Sequence, residues 1–271
     1  CQMSCSYCGP VFSTSWEKEI QEYGPYKLSE DYNVIDNPQI ENSPYVEKFW
    51  KWFPQAYEHL FVLRVTGGEP LLDKNTYKLL KYVKENPREG LTFHCNSNLM
   101  VTKERVQKYI NQAKDIPNTR IYASIDSWGK QAEYIRHGLK VDQFEENLLR
   151  ILANGIEVGI MCTFNFLSIF NIQEFIFKMA EMKQTFPHLT IDMPYMVDPK
   201  HLSAQIADDT HISIMEEGLK LMKTYPQFTE GEVVKFQKSV EWIKANRFKG
   251  EELEKHRKDF WNFVKEHDKR R

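Results

Sequence analysis

The stretch HLFVLRVTGGEP, residues 59–70, begins the pattern that decides the fold of this chain. An apolar run of strand length ends in two glycines and a proline, and the amphipathic segment 73–86 follows it. Such runs then alternate with helix-length amphipathic segments, which is typical of strand-helix units in a parallel α/β sheet. The other strand candidates are 91–97, 120–126, 155–165 and 189–197, and the other helix candidates are 102–113, 141–153 and 171–184.

Five strand candidates joined by four crossovers predict an open or partly closed barrel. Each helix candidate is roughly long enough to cross back over the sheet. We expect a further strand before Cys1, so that the fold is a partial (β/α)6 TIM-like barrel whose first strand is missing from the chain. The predicted core spans 1–204 with a long insertion at 9–45, and a charged helical extension spans 205–271.

Composition argues against several classes of protein. The 271 residues include 36 Lys and Arg against 38 Asp and Glu, so no global basic field exists to hold nucleic acid. The apolar runs are far shorter than the roughly 20 residues of a membrane span, and no charged segment followed by an apolar one opens the sequence. Five cysteines, an odd number, make a complete disulfide framework a poor interpretation. We therefore expect a cytoplasmic protein with no membrane partner.

Three of the cysteines lie close together in CQMSCSYC, the first eight residues of the chain. A disulfide needs pairs of cysteines, and structural zinc prefers four ligands with no open position. Three thiolates at this spacing suit a cluster that is bound at three irons and leaves a fourth iron open. On spacing alone, a zinc site and a chance grouping remain alternatives.

The turn Gly67-Gly68-Glu69-Pro70 directly follows the first strand candidate. Two glycines at a strand end permit close approach of the backbone to a ligand, and the Glu69 carboxylate can accept from an ammonium group. An ordinary strand-to-helix turn with a helix-starting proline is the alternative. The presence of the cysteine motif in the same chain favours the interpretation of this turn as a ligand-binding element.

Together the two motifs resemble the signature of the radical S-adenosylmethionine (SAM) enzymes, Cys-x-x-x-Cys-x-aromatic-Cys followed downstream by Gly-Gly-Glu-Pro. Tyr7 occupies the aromatic position. The resemblance implies that Cys1, Cys5 and Cys8 hold a [4Fe-4S] cluster. It also implies that the open iron takes the amino and carboxylate groups of SAM, and that the edge of the turn 67–70 receives the amino group.

Other segments resemble the same family. TFHCNSN ends in polar residues where the family often has a Thr-Asn-Gly-like segment, YASIDSW resembles its Ser-x-Asp strand, and GIEVGIMCTFN resembles the strand that flanks adenine. Arg136 resembles the arginine that the family places near the SAM carboxylate. The candidate SAM contacts are Tyr7, Gly67, Gly68, Glu69, Pro70, Asn96, Ser97, Ser124, Asp126, Arg136, Thr163 and Asn165. The alternatives are caps, turns, a surface salt bridge and an ordinary strand end.

The resemblance implies an enzyme that cleaves SAM reductively, with an electron from a donor such as flavodoxin or ferredoxin, to a 5'-deoxyadenosyl radical that abstracts a substrate hydrogen. The sequence looks closest to the SPASM or twitch subgroup, whose substrates include peptides, although no cysteine follows Cys162 to hold an auxiliary cluster. We expect a peptide or protein side chain or a related small molecule as substrate. A nucleoside or deazapurine-like substrate is the enzyme alternative, and a colourless zinc-stapled binding module is the non-enzyme alternative.

The sequence assigns no catalytic residue. Trp128, Asp192, Tyr195 and Asp198 are candidates for the substrate side of the barrel, with packing or solvated charge as their more ordinary role. His94 lies in the middle of a strand candidate, and we expect it to be a core histidine.

Overall fold

The computed structural model describes residues 1–30 and 43–271 of the chain. Part of the predicted insertion 9–45 therefore lies outside the described residues. The strands are β1 (Ser4–Cys5), β2 (Val62–Val65), β3 (Thr92–Ser97), β4 (Thr119–Ser124), β5 (Arg136–His137), β6 (Glu157–Met161) and β7 (Thr190–Asp192). The α-helices are α1 (Thr14–Tyr23), α2 (Pro44–Tyr57), α3 (Lys74–Glu85), α4 (Lys103–Ala113), α5 (Gly129–Ile135), α6 (Val141–Ala153), α7 (Ile172–Thr185), α8 (Asp209–Thr224), α9 (Glu230–Ala245) and α10 (Gly250–Lys269).

The central sheet has the spatial order β2-β3-β4-β6-β7, and all neighbouring strands in it are parallel. The predicted α/β fold, its five strands and the four crossover helices α3, α4, α6 and α7 are confirmed. The last two strands are shorter than predicted. Beyond them the two segments continue to meet through a backbone hydrogen bond from Cys162 to Asp192 and an isolated bridge between Phe164 and Tyr195. The sheet is open at β2 and β7, so the described residues form no closed barrel.

The two faces of the sheet differ because side chains alternate along each strand. The face packed into the core carries Phe93, Cys95, Ile121, Ala123, Val158 and Ile160. The opposite, open face carries Arg64, His94, Asn96, Tyr122 and Ser124, which are half-buried or exposed. The expectation that His94 is a core histidine is wrong, because the alternation places its ring on the open face.

A two-stranded antiparallel sheet ties the N-terminus to the segment that follows α5. Ser4 lies opposite His137, and Cys5 lies opposite Arg136. This pairing holds the cysteine motif against β5, the short strand that follows β4 and α5.

The segment from residue 205 onward is helical, as predicted, and packs along one side of the molecule. Glu232 of α9 accepts a hydrogen bond from the backbone N of Ile191 at 2.8 Å and pairs with Lys183 Nζ at 2.9 Å, both within the buried interior. These contacts attach the extension to β7 at the edge of the sheet. None of the helices within the described ranges combines the length and apolar composition needed to cross a bilayer.

Candidate functional site

The start of α1 braces the backbone of the cysteine motif. Ser13, the N-cap of this helix, donates from Oγ to the carbonyl of Met3 at 2.6 Å, and Thr14 Oγ1 donates to the carbonyl of Cys1 at 3.0 Å. Trp16 is fully buried, and its Nε1 donates to the carbonyl of Cys5 at 2.8 Å. Sequence reasoning missed Trp16, because a single tryptophan in a polar segment carries no pattern that predicts this contact.

Cys1, Cys5 and Cys8 form no disulfide within the described residues, and Cys5 is buried whereas the other two are half-buried. Burial raises the pKa of the Cys5 thiol to about 12, against the opposing charge of Arg136, and burial also raises the pKa of Cys8. Asn98 Nδ2 lies 3.6 Å from Cys1 Sγ, and Arg136 Nη1 lies 4.0 Å from Cys5 Sγ. Two of the three sulfurs therefore face nitrogen donors, which favour a thiolate over a thiol.

The thiols are not arranged around a single metal ion. Among the residues that the structure describes, no group of three or more His, Cys, Asp or Glu side chains is placed to hold one ion. A structural zinc needs four ligands that converge at about 2.0–2.3 Å, so the zinc-staple alternative finds no support here. Thiolates that each bind a different iron of a cluster do not converge on one point. Three thiolates are a donor set that an iron-sulfur cluster accepts.

A buried carboxylate connects the cysteine motif to β4 and β6. Asp126 accepts from Arg136 Nε at 2.7 Å and from Arg136 Nη2 at 3.0 Å. The same carboxylate accepts from the Tyr7 hydroxyl at 2.8 Å and from the backbone N of Thr163 at 2.9 Å. Asp126 is 1% and Arg136 6% exposed, so the pair is a buried ion pair and not a surface salt bridge. The guanidinium fork expected to bind the SAM carboxylate is occupied by Asp126.

The turn at 67–70 lies against the first cysteine. Gly67 and Gly68 have φ angles of +90° and +52°, in the left-handed region that favours glycine. A Cβ on Gly68 would lie 3.6 Å from the backbone N of Cys1. Both glycines and Cys1 border a cavity of about 520 Å³. The fold thus brings the two sequence motifs together and leaves the glycine backbone open to a ligand.

Glu69 also borders this cavity, and its carboxylate is hydrogen-bonded within the protein. Its Oε1 accepts from Ser97 Oγ at 2.7 Å, and its Oε2 accepts from the backbone N of Asn98 at 2.8 Å. Glu69 also caps the short 3₁₀ helix Pro70–Leu72, and burial raises the pKa of its carboxyl. The carboxylate therefore joins the turn to the end of β3, and Pro70 starts a helix as in the ordinary turn.

Replacing this carboxylate tests its role in joining the turn to β3. Glu69→Gln is expected to destabilise the protein by about 1–3 kcal/mol, because glutamine keeps one acceptor oxygen and leaves a buried donor unpaired. Urea unfolding followed by circular dichroism measures the loss. Glu85→Gln at the exposed end of α3 is the matched control, with an expected change within about 0.5 kcal/mol. Equal losses in the two variants would contradict the assignment.

The remaining predicted SAM contacts lie near the same strand ends, and several are bonded within the protein. Asn96 Oδ1 accepts from Arg64 Nε at 2.8 Å. Asn165 is fully buried and caps the 3₁₀ helix after β6, accepting from the backbone N of Leu167 at 3.0 Å. Ser124 is half-buried at the end of β4. The structure therefore uses Asn165 as a helix cap shortly after the buried strand β6, close to the ordinary strand end that was its alternative interpretation.

The substrate-side candidates are dispersed around the strand ends. Trp128 is buried, and Asp198 is exposed. Tyr195 stacks on Trp242 with 3.8 Å between ring centroids, and Asp192 pairs with a lysine of α9 at 3.3 Å. Packing and surface pairing account for these side chains, so none acquires a substrate role from its contacts.

Comparison with known protein families gives a match that covers the whole candidate site. The model of the family described as the Radical SAM superfamily matches residues 1–178, well over half of the chain. The matched range contains all of the predicted cluster ligands and SAM contacts. No curated protein matches the chain.

Solved structures share the fold at low sequence identity. Native anSMEcpe with bound AdoMet has a TM-score of 0.51 and 14% identity, over 83% of this chain and 57% of that chain. A domain of pyruvate-formate lyase-activating enzyme from Bacteroides vulgatus has a TM-score of 0.44 and 14% identity, over 60% of this chain and 93% of that chain. TYW1 with a lysine-pyruvate adduct bound has a TM-score of 0.45 and 18% identity, over 83% of this chain and 70% of that chain. The present chain thus spans little more than half the length of anSMEcpe.

Proposed function

Because the chain belongs to the radical SAM superfamily, we propose that it is a radical-forming enzyme whose substrate is a peptide or protein side chain or a related small molecule. Members of this superfamily bind a [4Fe-4S] cluster and SAM. The chemistry that these groups supply when bound is one-electron cleavage of SAM to methionine and a 5'-deoxyadenosyl radical, which takes a hydrogen atom from the substrate.

The meeting of the two motifs at Cys1 carries the proposal. The backbone of Cys1 lies against Gly68, and its sulfur lies 3.6 Å from Asn98 Nδ2. Cys1, Cys5 and Cys8 would hold the cluster, and the open backbone of the glycine turn would bind the amino group of SAM beside it. The cysteine motif and the glycine turn are distant in sequence, and in this arrangement they form the two halves of one binding site.

The buried residues behind the cysteine motif would keep the site rigid and dry. Asp126 fixes Arg136 and Tyr7, and Trp16 of α1 fixes the backbone of Cys5. All of these side chains except Tyr7, which is half-buried, are buried. A rigid enclosure of this kind limits the access of water and stray hydrogen donors to a reactive radical.

Reconstitution without oxygen tests the proposal. The protein is expected to bind about four irons per chain, as a [4Fe-4S] cluster requires. With SAM and dithionite, the reconstituted protein is expected to release 5'-deoxyadenosine and methionine, measured by liquid chromatography. A flavodoxin or ferredoxin is the proposed donor in place of dithionite. A colourless protein that binds zinc and releases neither product would overturn the proposal in favour of a binding module.

A further inference from the structure

The open face of the sheet brings together four side chains from three neighbouring strands. Arg64 lies opposite His94, and Asn96 lies opposite Tyr122. Arg64 Nε donates to Asn96 Oδ1 at 2.8 Å, and the guanidinium carbon lies 4.9 Å from the centroid of the Tyr122 ring. The His94 ring meets the Tyr122 ring edge-on at a centroid distance of 5.2 Å. Arg64 is therefore oriented by its neighbours although its side chain is exposed.

A glycine on the next strand gives the Tyr122 ring its position. A Cβ on Gly159 would lie 2.9 Å from two carbons of the Tyr122 ring and 3.2 Å from Thr190 Oγ1. Side-chain carbons do not approach this closely, so a larger residue at 159 would displace the ring. The ring lies across β6 for this reason and provides the surface on which the Arg64 guanidinium rests.

Arg64 differs from Arg120 on the same face because it lacks an acidic partner. Arg120 pairs with Glu157 at 2.7 Å. Within the described part of the chain, no carboxylate lies within ion-pair distance of Arg64, and only its Nε is hydrogen-bonded. Both terminal amino groups of the guanidinium are therefore available to a ligand.

Burial is the main cause that lowers the pKa of His94, and the charges of Arg120 and Arg64 add to it against the charge of Glu157. The position of Arg64 is also close to the predicted SAM contacts. Ser124 follows Tyr122 by two residues, which span about 6.6 Å along a strand.

We propose that, in the enzyme proposed above, Arg64 binds an oxyanion group of the substrate, with Asn96 and Tyr122 holding its guanidinium in place. A planar guanidinium binds a carboxylate or a phosphate through two parallel hydrogen bonds. An acidic side chain of a peptide and a phosphate ester share this chemistry. The substrate is thus anionic, and its charged group lies on the open face of the sheet beside the strand ends.

Ligand-observed NMR on the reconstituted protein measures this binding without turnover. The probes are N-acetyl-glutamic acid amide, its neutral counterpart N-acetyl-glutamine amide, and inorganic phosphate. Arg64→Gln is expected to raise the Kd of the bound oxyanion at least about tenfold, because charge-assisted hydrogen bonds are lost. Arg64→Lys keeps the charge but not the fork, so an intermediate Kd is expected. Arg150→Gln on α6, outside the sheet, is the control with unchanged binding.

The probes separate the two sources of the oxyanion. Arg64-dependent binding of the glutamic acid amide supports a carboxylate substrate, and Arg64-dependent binding of phosphate supports a phosphate ester. Equal binding of the charged and neutral amides, or a Kd that Arg64→Gln leaves unchanged for both oxyanions, would overturn the proposal. Circular dichroism establishes that each variant is folded. A protein that binds the oxyanion through Arg64 but releases no 5'-deoxyadenosine would refute the enzyme proposal alone.

Discussion

Cys5→Ala is expected to remove the cluster and to reduce 5'-deoxyadenosine release to background. Cys5 is the buried member of the three thiols, and its backbone is fixed on both sides, by β5 and by Trp16. Alanine leaves two of three ligands, and neither of them can move to take the missing position. Iron and sulfide analysis after anaerobic reconstitution gives the cluster content, and chromatography gives the product.

Cys95→Ala is the matched control for this loss. Cys95 lies on the core face of β3 and is fully buried, away from the cysteine motif. Removing its sulfur leaves a small cavity, so we expect a loss of stability of about 1 kcal/mol with iron content and product release retained. If Cys5→Ala kept its iron while Cys95→Ala lost it, the proposed ligand set would be refuted.

The sequence predicts the strands and helices of this fold well. Each element buries one face, so its apolar residues recur with a helical or strand period that can be read within a single segment. The core strands and crossover helices confirm this. The short pairing of β1 with β5 could not be predicted, because strands of two residues have no period. The face on which His94 lies could not be predicted for a different reason. The alternation along β3 shows which residues share a face, but a histidine fits either face.

The sequence predicts which residue types form the candidate site, but it does not predict which side chains contact one another there. The cysteine spacing and the glycine turn mark a binding region, and the structure places Cys1 against Gly68. The bond between Arg136 and Asp126 depends on where α5 returns the chain to the cysteine motif, which no local pattern encodes. The space that Gly159 leaves for Tyr122 depends on the register of β4 and β6 in the same way. Contacts across strands are set by register, and register appears only in the folded chain.

Asp126→Asn is expected to destabilise the protein by about 3–5 kcal/mol, because it leaves the buried Arg136 guanidinium without a compensating charge. The side chains of Arg136 and Asp126 are 7% and 0% exposed, so solvent screens this loss little. Asp192→Asn provides the control, since Asp192 also pairs with a basic side chain, but Asp192 and its lysine are 39% and 61% exposed. Its expected loss is at most about 1 kcal/mol. Urea unfolding of both variants measures the difference, and equal losses would show that the Asp126 pair is no more than a surface ion pair.

A double variant separates the charge pair's effect on stability from its effect on the cluster. Asp126→Leu with Arg136→Met removes both charges, and such replacements of a buried pair are often neutral for stability. We expect the double variant to recover only part of the stability that Asp126→Asn loses, because leucine leaves the Tyr7 hydroxyl and the backbone N of Thr163 without their acceptor. Arg136 Nη1 also faces Cys5 Sγ at 4.0 Å, and hydrogen bonds to cluster sulfurs help to set a reduction potential. The reconstituted double variant is therefore expected to titrate at a more negative potential than the wild type, measured by electron paramagnetic resonance. A stable double variant with an unchanged potential would limit Arg136 to a role in folding, because the pair would then act on packing and not on the sulfur.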